Sequence, residues 1–207
     1  MRPAARTIQR ALVAVASLCG GTFPGCDTAP PAASESAWRV LDDRELAGVH
    51  AAAKGRAEAA RVAMSARLSE RLRMSQADGG PEGAVGVCKE EAPEIARAVS
   101  LEHGVRIGRT SFALRNSRNP PPDWAEPLVE RRVEVPTYLG GRQGEFAALL
   151  PIRLEARCLA CHGGERDVSA AVRTVLAREY PDDQATGFAE GDLRGWFWVV
   201  VPGSSSR

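Results

Sequence analysis

Leu193-Arg-Gly-Trp-Phe-Trp-Val-Val-Val201 is the most strand-like stretch of the chain, and the fold is read outward from it. Aromatic and β-branched residues fill both of its alternating faces, the composition of a central strand covered on two sides. Glu145 to Leu154 also alternates, with Phe146, Ala148, Leu150, Ile152 and Leu154 on one face, and Val105 to Arg115 carries the same period. Two helical stretches come first. One runs from about Asp42 to about Ser75, opens on a capping box made by Asp42 and Glu45, and repeats Leu46, Val49, Ala53, Ala57, Ala60, Met64, Leu68 and Leu72 at helical spacing. Gly79, Gly80 and Pro81 break it. The other, from near Glu82 to about Glu102, gathers Ala84, Val85, Cys88, Ala92, Ile95 and Val99 on one face. Pro93 has no N–H for the carbonyl of Lys89, which predicts a bend one turn after Cys88. A proline-rich loop from Asn116 to Asp123, a short helix capped by Asp123 and holding Trp124 and Leu128, and a helix from Ser169 to Glu179 complete the elements. Two helices, one of them long, followed by strands with short helices between them, predict an α+β fold with an antiparallel sheet.

Directly after the run that ends at Leu154 comes Cys158-Leu-Ala-Cys161-His162, followed by Gly163 and Gly164. This is the spacing of c-type haem attachment, in which two thiols bond to one porphyrin edge and the adjacent imidazole reaches the iron. Two other readings use the same residues. Cys88, Cys158, Cys161 and His162 formally make a three-cysteine, one-histidine zinc set. A thiol-redox pair would instead open a helix after a strand in a thioredoxin-like βαβ unit. Met64 sits on the apolar stripe and is read as core, His50 lies off the stripe and is read as exposed, and His103 beside Gly104 is read as a helix end.

The N-terminus places the chain in a compartment that suits haem attachment. Arg2, Arg6 and Arg10 precede a short apolar run from Ala11 to Leu18, the order of a secretory signal and too short to span a membrane. Phe23-Pro24-Gly25-Cys26 resembles a lipoprotein cleavage box with Cys26 as the lipid-bearing residue, whereas Cys19 fits that role less well. The chain is therefore read as a signal peptide over 1–26, a flexible linker over 27–37 rich in Pro, Ala and Ser, a domain over 38–202 and a tail over 203–207. Removing the leader leaves roughly 170 residues, enough for one core. Of the five cysteines, three remain in the domain, too few for a disulfide framework. Lys plus Arg number 27 against 26 Asp plus Glu, a balance that gives no electrostatic case for nucleic acid.

Four segments in order carry a family resemblance: Cys88-Lys-Glu-Glu-Ala-Pro93, GRTSFALRNSRNPP from Gly108 to Pro121, CLACHGG, and YPDDQATGFAEGDLRGWFWV from Tyr180 to Val199. Together they resemble a family, long filed as a domain of unknown function, of PAS-like domains that bind c-type haem with His/Cys axial ligation. Its members occur as exported proteins or as sensor regions of histidine kinases. The likeness covers Trp38 to Val201 and departs at Ser117, where the family has proline. The resemblance implies a PAS-like antiparallel sheet preceded by the two helices. It implies one covalent haem c on Cys158 and Cys161, and axial ligands His162 and Cys88. Arg109, Arg115 and Asn116, in the matched segment, are candidates for propionate or haem-edge contacts. The expected function is a redox or small-ligand sensing module, not an enzyme, with a low-potential electron-transfer cytochrome c as the alternative. Its expected partners are haem and a redox or signalling protein, with a lipid anchor holding it to a membrane outside the cytoplasm.

Overall fold

The computed structural model describes residues 37–203. The signal peptide, Cys19, Cys26, nearly all of the linker and the end of the tail lie outside them. Five antiparallel strands form one sheet in the order β1-β3-β4-β5-β2, where β1 is Trp38–Val40, β2 Arg106–Thr110, β3 Thr137–Gly141, β4 Phe146–Arg153 and β5 Leu193–Val201. This is the α+β, PAS-like arrangement. β5 lies between β4 and β2, as its two apolar faces require.

Alternation along β4 and β5 divides the core in two. Phe146, Ala148 and Leu150, with Phe197, Val199 and Val201, face the long helix and bury Ala57, Ala60, Met64 and Val99 against the sheet. Ala147 and Leu149, with Trp196 and Val200, face the other way, onto Ala125, Leu128 and Val129 around helix α4 (Glu126–Glu130). Both faces of β4 are therefore covered, where the sequence pattern set its apolar side chains on one. The short helix starts after Trp124, and Asp123 does not cap it: Pro122 accepts the N–H groups of Ala125 and Glu126 instead. β1 and β3 carry no sequence signal, being three and five residues long.

The leading helices are built as the capping box and the glycines direct, with one change. Asp42 caps α1 (Asp43–Ala47), its side chain accepting from the Glu45 N–H while Glu45 accepts from the Asp42 N–H. That helix stops at Gly48, and α2 (Ala51–Gly86) begins after His50. The interruption moves Val49 off the apolar stripe, leaving it 86% exposed. It also turns His50 inward, half-buried with its ring 5.8 Å from that of Phe146. Within α2, Gly79 and Gly80 are not helical; Gly80, at φ +68°, occupies a conformation that suits glycine. Beyond α2, Val87–Glu91 forms one π-helical turn before α3 (Ala92–His103), which ends at left-handed Gly104.

These burials set expected stabilities. Leu149→Ala, at a fully buried position of β4, should cost about 2–5 kcal/mol in urea unfolding. Val49→Ala should stay within about 0.5 kcal/mol of the parent.

Candidate functional site

A partly open cleft with about 600 Å³ of empty space lies where β2 runs out beside β5. Its wall combines Cys88 from the π-helical turn, Arg109 and Thr110 from β2, Ser111, Leu114, Arg115, Asn116 and Asn119 from the loop after it, and Ile152 from β4. His162, Tyr180, Arg194 and Gly195 close the other side. The cleft thus brings together Cys88, Arg109, Arg115, Asn116 and His162, all singled out from the sequence. His50 and His103 do not line it. Met64 is buried in the core.

The CLACH segment folds as a 3-10 turn, Ala156–Cys158, running into α5 (Leu159–His162). A Cβ on Gly163 would lie 2.6 Å from the Cβ of Asp167 and 2.7 Å from the Leu159 carbonyl, so only glycine lets the chain leave the helix there. The loop before β5 then grips the segment. Gly187 N–H donates to the Gly163 carbonyl at 2.8 Å, and Phe188 N–H to that of His162 at 3.0 Å. Arg115 completes the grip from beneath. Its Nε donates to Asp183 Oδ2 at 3.0 Å, and its Nη2 donates to the carbonyls of Cys161 at 2.6 Å and Ala185 at 3.1 Å. Arg115 and Asp183 are a buried pair, so this charge is compensated where it sits.

His162 is oriented by the same loop. Its Nδ1 lies 2.7 Å from the Ala185 carbonyl, and because a carbonyl only accepts, Nδ1 carries the proton and donates it there. Nε2 keeps its lone pair, the tautomer that a metal-binding imidazole needs. Burial, reinforced by the guanidinium groups of Arg115 and Arg194, holds the ring well below the usual histidine range and therefore neutral. Arg194 Nε, 3.3 Å from Nδ1, faces an atom already committed as a donor.

Cys88 reaches the cleft from the opposite side because of Pro93. In a continued α-helix the carbonyl of Lys89 would look for an N–H that proline lacks; the chain instead widens, and Ala92 N–H donates to Val87. The bend expected from the sequence is taken up by this wider turn. The turn is tied on two sides, by Lys89 Nζ to Glu179 at 2.7 Å and by Arg71 to both oxygens of Glu91 at 2.5 and 2.8 Å. It also buries Val87 against Leu68 and Ala92, a contact that α-helical spacing did not foretell.

Cys88, Cys158 and Cys161 are free and half-buried. Burial pushes the Cys161 thiol up, with Cys88 and Cys158 nearby acting in the same direction and Arg115 against them. Tyr180 is likewise pushed up to about 12 by burial, so its hydroxyl stays protonated at neutral pH. Among the described residues no three His, Cys, Asp or Glu side chains converge as metal ligands, so the zinc set is not assembled. The sheet is antiparallel throughout, and the βαβ setting of a thioredoxin-like motif is missing from it. The donor set suits a covalent haem: two thiols and an imidazole on one segment, with the imidazole lining the cleft, a third sulfur, that of Cys88, on the same cleft wall, and arginines beside it. Arg109 has no carboxylate partner among the described residues, whereas the Asn116 side-chain oxygen accepts from Arg118 N–H in a local turn. The sequence reading missed Arg194, Tyr180, Ser111 and Asp183. The one available signal was an arginine followed by glycine inside an otherwise apolar strand.

The sequence profile of the Tll0287-like family matches residues 44–202. The crystal structure of the cyanobacterial heme-protein Tll0287 superimposes with a TM-score of 0.50 at 21% identity, covering 81% of this chain and 99% of that one. The likeness extends to the fold. No curated protein matches the chain significantly.

Arg115→Met should unfold the protein about 3–5 kcal/mol more easily in guanidinium titrations, because it leaves the Asp183 carboxylate without its cation and the Cys161 carbonyl without this donor. Substitution of exposed Arg118 should change stability by less than about 0.5 kcal/mol.

Proposed function

The chain belongs to the Tll0287-like family, and on that premise we propose that it is an exported c-type haem protein that senses redox state or a small ligand. Cys158 and Cys161 would hold the haem covalently, and His162 and Cys88 would bind its iron. Arg109, Arg115 and Asn116 would serve its propionates or edge. The observation that carries this reading is that Cys88 and His162, far apart in sequence, line one cleft, and that His162 directly follows the Cys-x-x-Cys pair.

Bound haem supplies one-electron chemistry and an exchangeable iron coordination site. The residues of the chain decide how that site behaves. Ala185 holds the His162 ring in the ligand tautomer. The π-helical turn presents a sulfur whose anionic form favours ferric over ferrous iron. Cys88 would be the ligand through which redox state or a small molecule is sensed. We read the protein as a binding module rather than an enzyme, a reading supported by His50 and His103 lying away from the cleft. Among the described residues no helix is long and apolar enough to cross a membrane, and the proposed membrane attachment is through lipid on Cys26.

The expected product of expression with the haem-attachment machinery is one haem per chain that survives acid-acetone extraction. Stoichiometric zinc without a Soret band would sink the reading. Cys88→Ala should abolish sulfur-to-iron charge-transfer bands and raise the reduction potential, each 59 mV being a factor of ten in the ferric-to-ferrous ratio. It should also speed cyanide binding, and unchanged spectra, potential and rates would make Cys88 a core residue only. A thiolate that stays bound in both oxidation states would favour an electron carrier. Cys26→Ser should move the protein from the membrane to the soluble fraction, and unchanged fractionation would remove the lipid anchor.

A further inference from the structure

We infer that Arg194 is a positioning residue that sets the electrostatics of the axial histidine: a cation built into the cleft wall by a β-bulge, which raises the reduction potential against the pull of the Cys88 thiolate. The inference rests on the reading of His162 as an iron ligand.

The bulge is the first observation. Along β4 and β5, Ile152 pairs with Gly195 and Arg153 with Leu193, so Arg194 has no partner across the ladder. In a regular strand, Leu193 would share a face with Phe197 and Val199. It packs instead with Trp196 and Val200, which shows the one-residue slip. A bulge re-aims the side chain of its extra residue, and here that side chain lines the cleft. Gly195 is what permits the slip. It adopts φ +153°, and a Cβ there would fall 2.3 Å from the carbonyl oxygen of Thr110.

The guanidinium is then fixed. Its Nη1 donates to Ser111 Oγ at 2.8 Å and to the Ala113 carbonyl at 3.1 Å, while Ser111 Oγ donates to the Arg194 carbonyl at 2.7 Å. Phe188 lies against its other side, 5.5 Å from ring centroid to guanidinium carbon. These neighbours are neutral. Among the described residues no carboxylate pairs with Arg194, and the nearby Asp183 is bonded to Arg115. A guanidinium keeps its proton in proteins even when withdrawn from water, so Arg194 is a fixed cation.

An uncompensated charge taken out of water is costly, and this one stands 3.3 Å from the Nδ1 of His162. Since Nδ1 donates to Ala185, Arg194 forms no hydrogen bond to it; what it contributes is its field. A fixed cation beside the ring opposes any imidazolate character and favours the iron state of lower positive charge, which is ferrous.

The test uses the exported, haem-loaded full chain with Arg194→Gln and Arg194→Lys. Pyridine haemochrome spectra first establish covalent haem in each protein, and circular dichroism its fold. Poised at the wild-type midpoint, Arg194→Gln should hold at least a tenfold higher ferric-to-ferrous ratio, a 59 mV downward shift. Arg194→Lys, which keeps the charge, should stay within threefold of wild type. A ratio for Arg194→Gln within twofold of wild type, with haem intact, overturns the inference. So does an Arg194→Lys shift as large as that of Arg194→Gln, because geometry and not charge would then be the cause. Should Arg194→Gln not fold, Arg194→Met, which buries no polar group, is judged by the same ratios. A wild-type chain without covalent haem would overturn the haem reading itself and this inference with it, and the haemochrome spectrum separates that case from the others.

Discussion

The hydrogen bonds of Arg115 hold the site together. One guanidinium reaches Asp183 and the carbonyls of Cys161 and Ala185, joining the loop after β2, the Cys158 to His162 segment and the loop before β5. None of these segments belongs to the regular sheet, and each would otherwise leave backbone groups without partners in a partly closed space. Ala185 shows how closely support and function are coupled here. Its carbonyl accepts from Arg115 and also from His162, so the contact that orders the loop is the one that selects the histidine tautomer.

On the opposite side, Cys88 depends on a defect of helix geometry. Proline at position 93 removes one donor, and the π-helical turn is the local answer to that loss. Such a turn is intrinsically less favourable than α-helix. Here it is held by Lys89–Glu179 and Arg71–Glu91, which connect it to α6 (Ala170–Glu179) and to α2. These pairs are partly exposed, so each contributes little on its own. Their geometric effect is larger, since together they fix which way the turn faces.

Charge distribution in the cleft follows from these constraints. Three arginines line it, one neutralised by Asp183 and two without a carboxylate partner among the described residues. An anionic cofactor edge and an anionic sulfur are what such a surface accepts. The structure places Arg194 next to the imidazole of His162, while Cys88 lines the same cleft from the π-helical turn.

Much of this was legible in the chain itself. Period-two alternation named β4 and β5, the Asp42 and Glu45 pair named a helix start, and Gly79 and Gly80 a break. All of these are local signals, carried by residues within a few positions of one another. Cys88 was legible only through resemblance and its helix face. Tertiary structure alone decided the rest. β3 became a strand because β4 offered it a ladder, and Val49 left the stripe because the chain paused at Gly48. Arg194 entered the cleft because Gly195 could pass Thr110 at a distance no Cβ allows. Pairing registers, close backbone approaches and shared hydrogen-bond acceptors arise between segments distant in sequence, where composition and periodicity carry no information about which residue meets which.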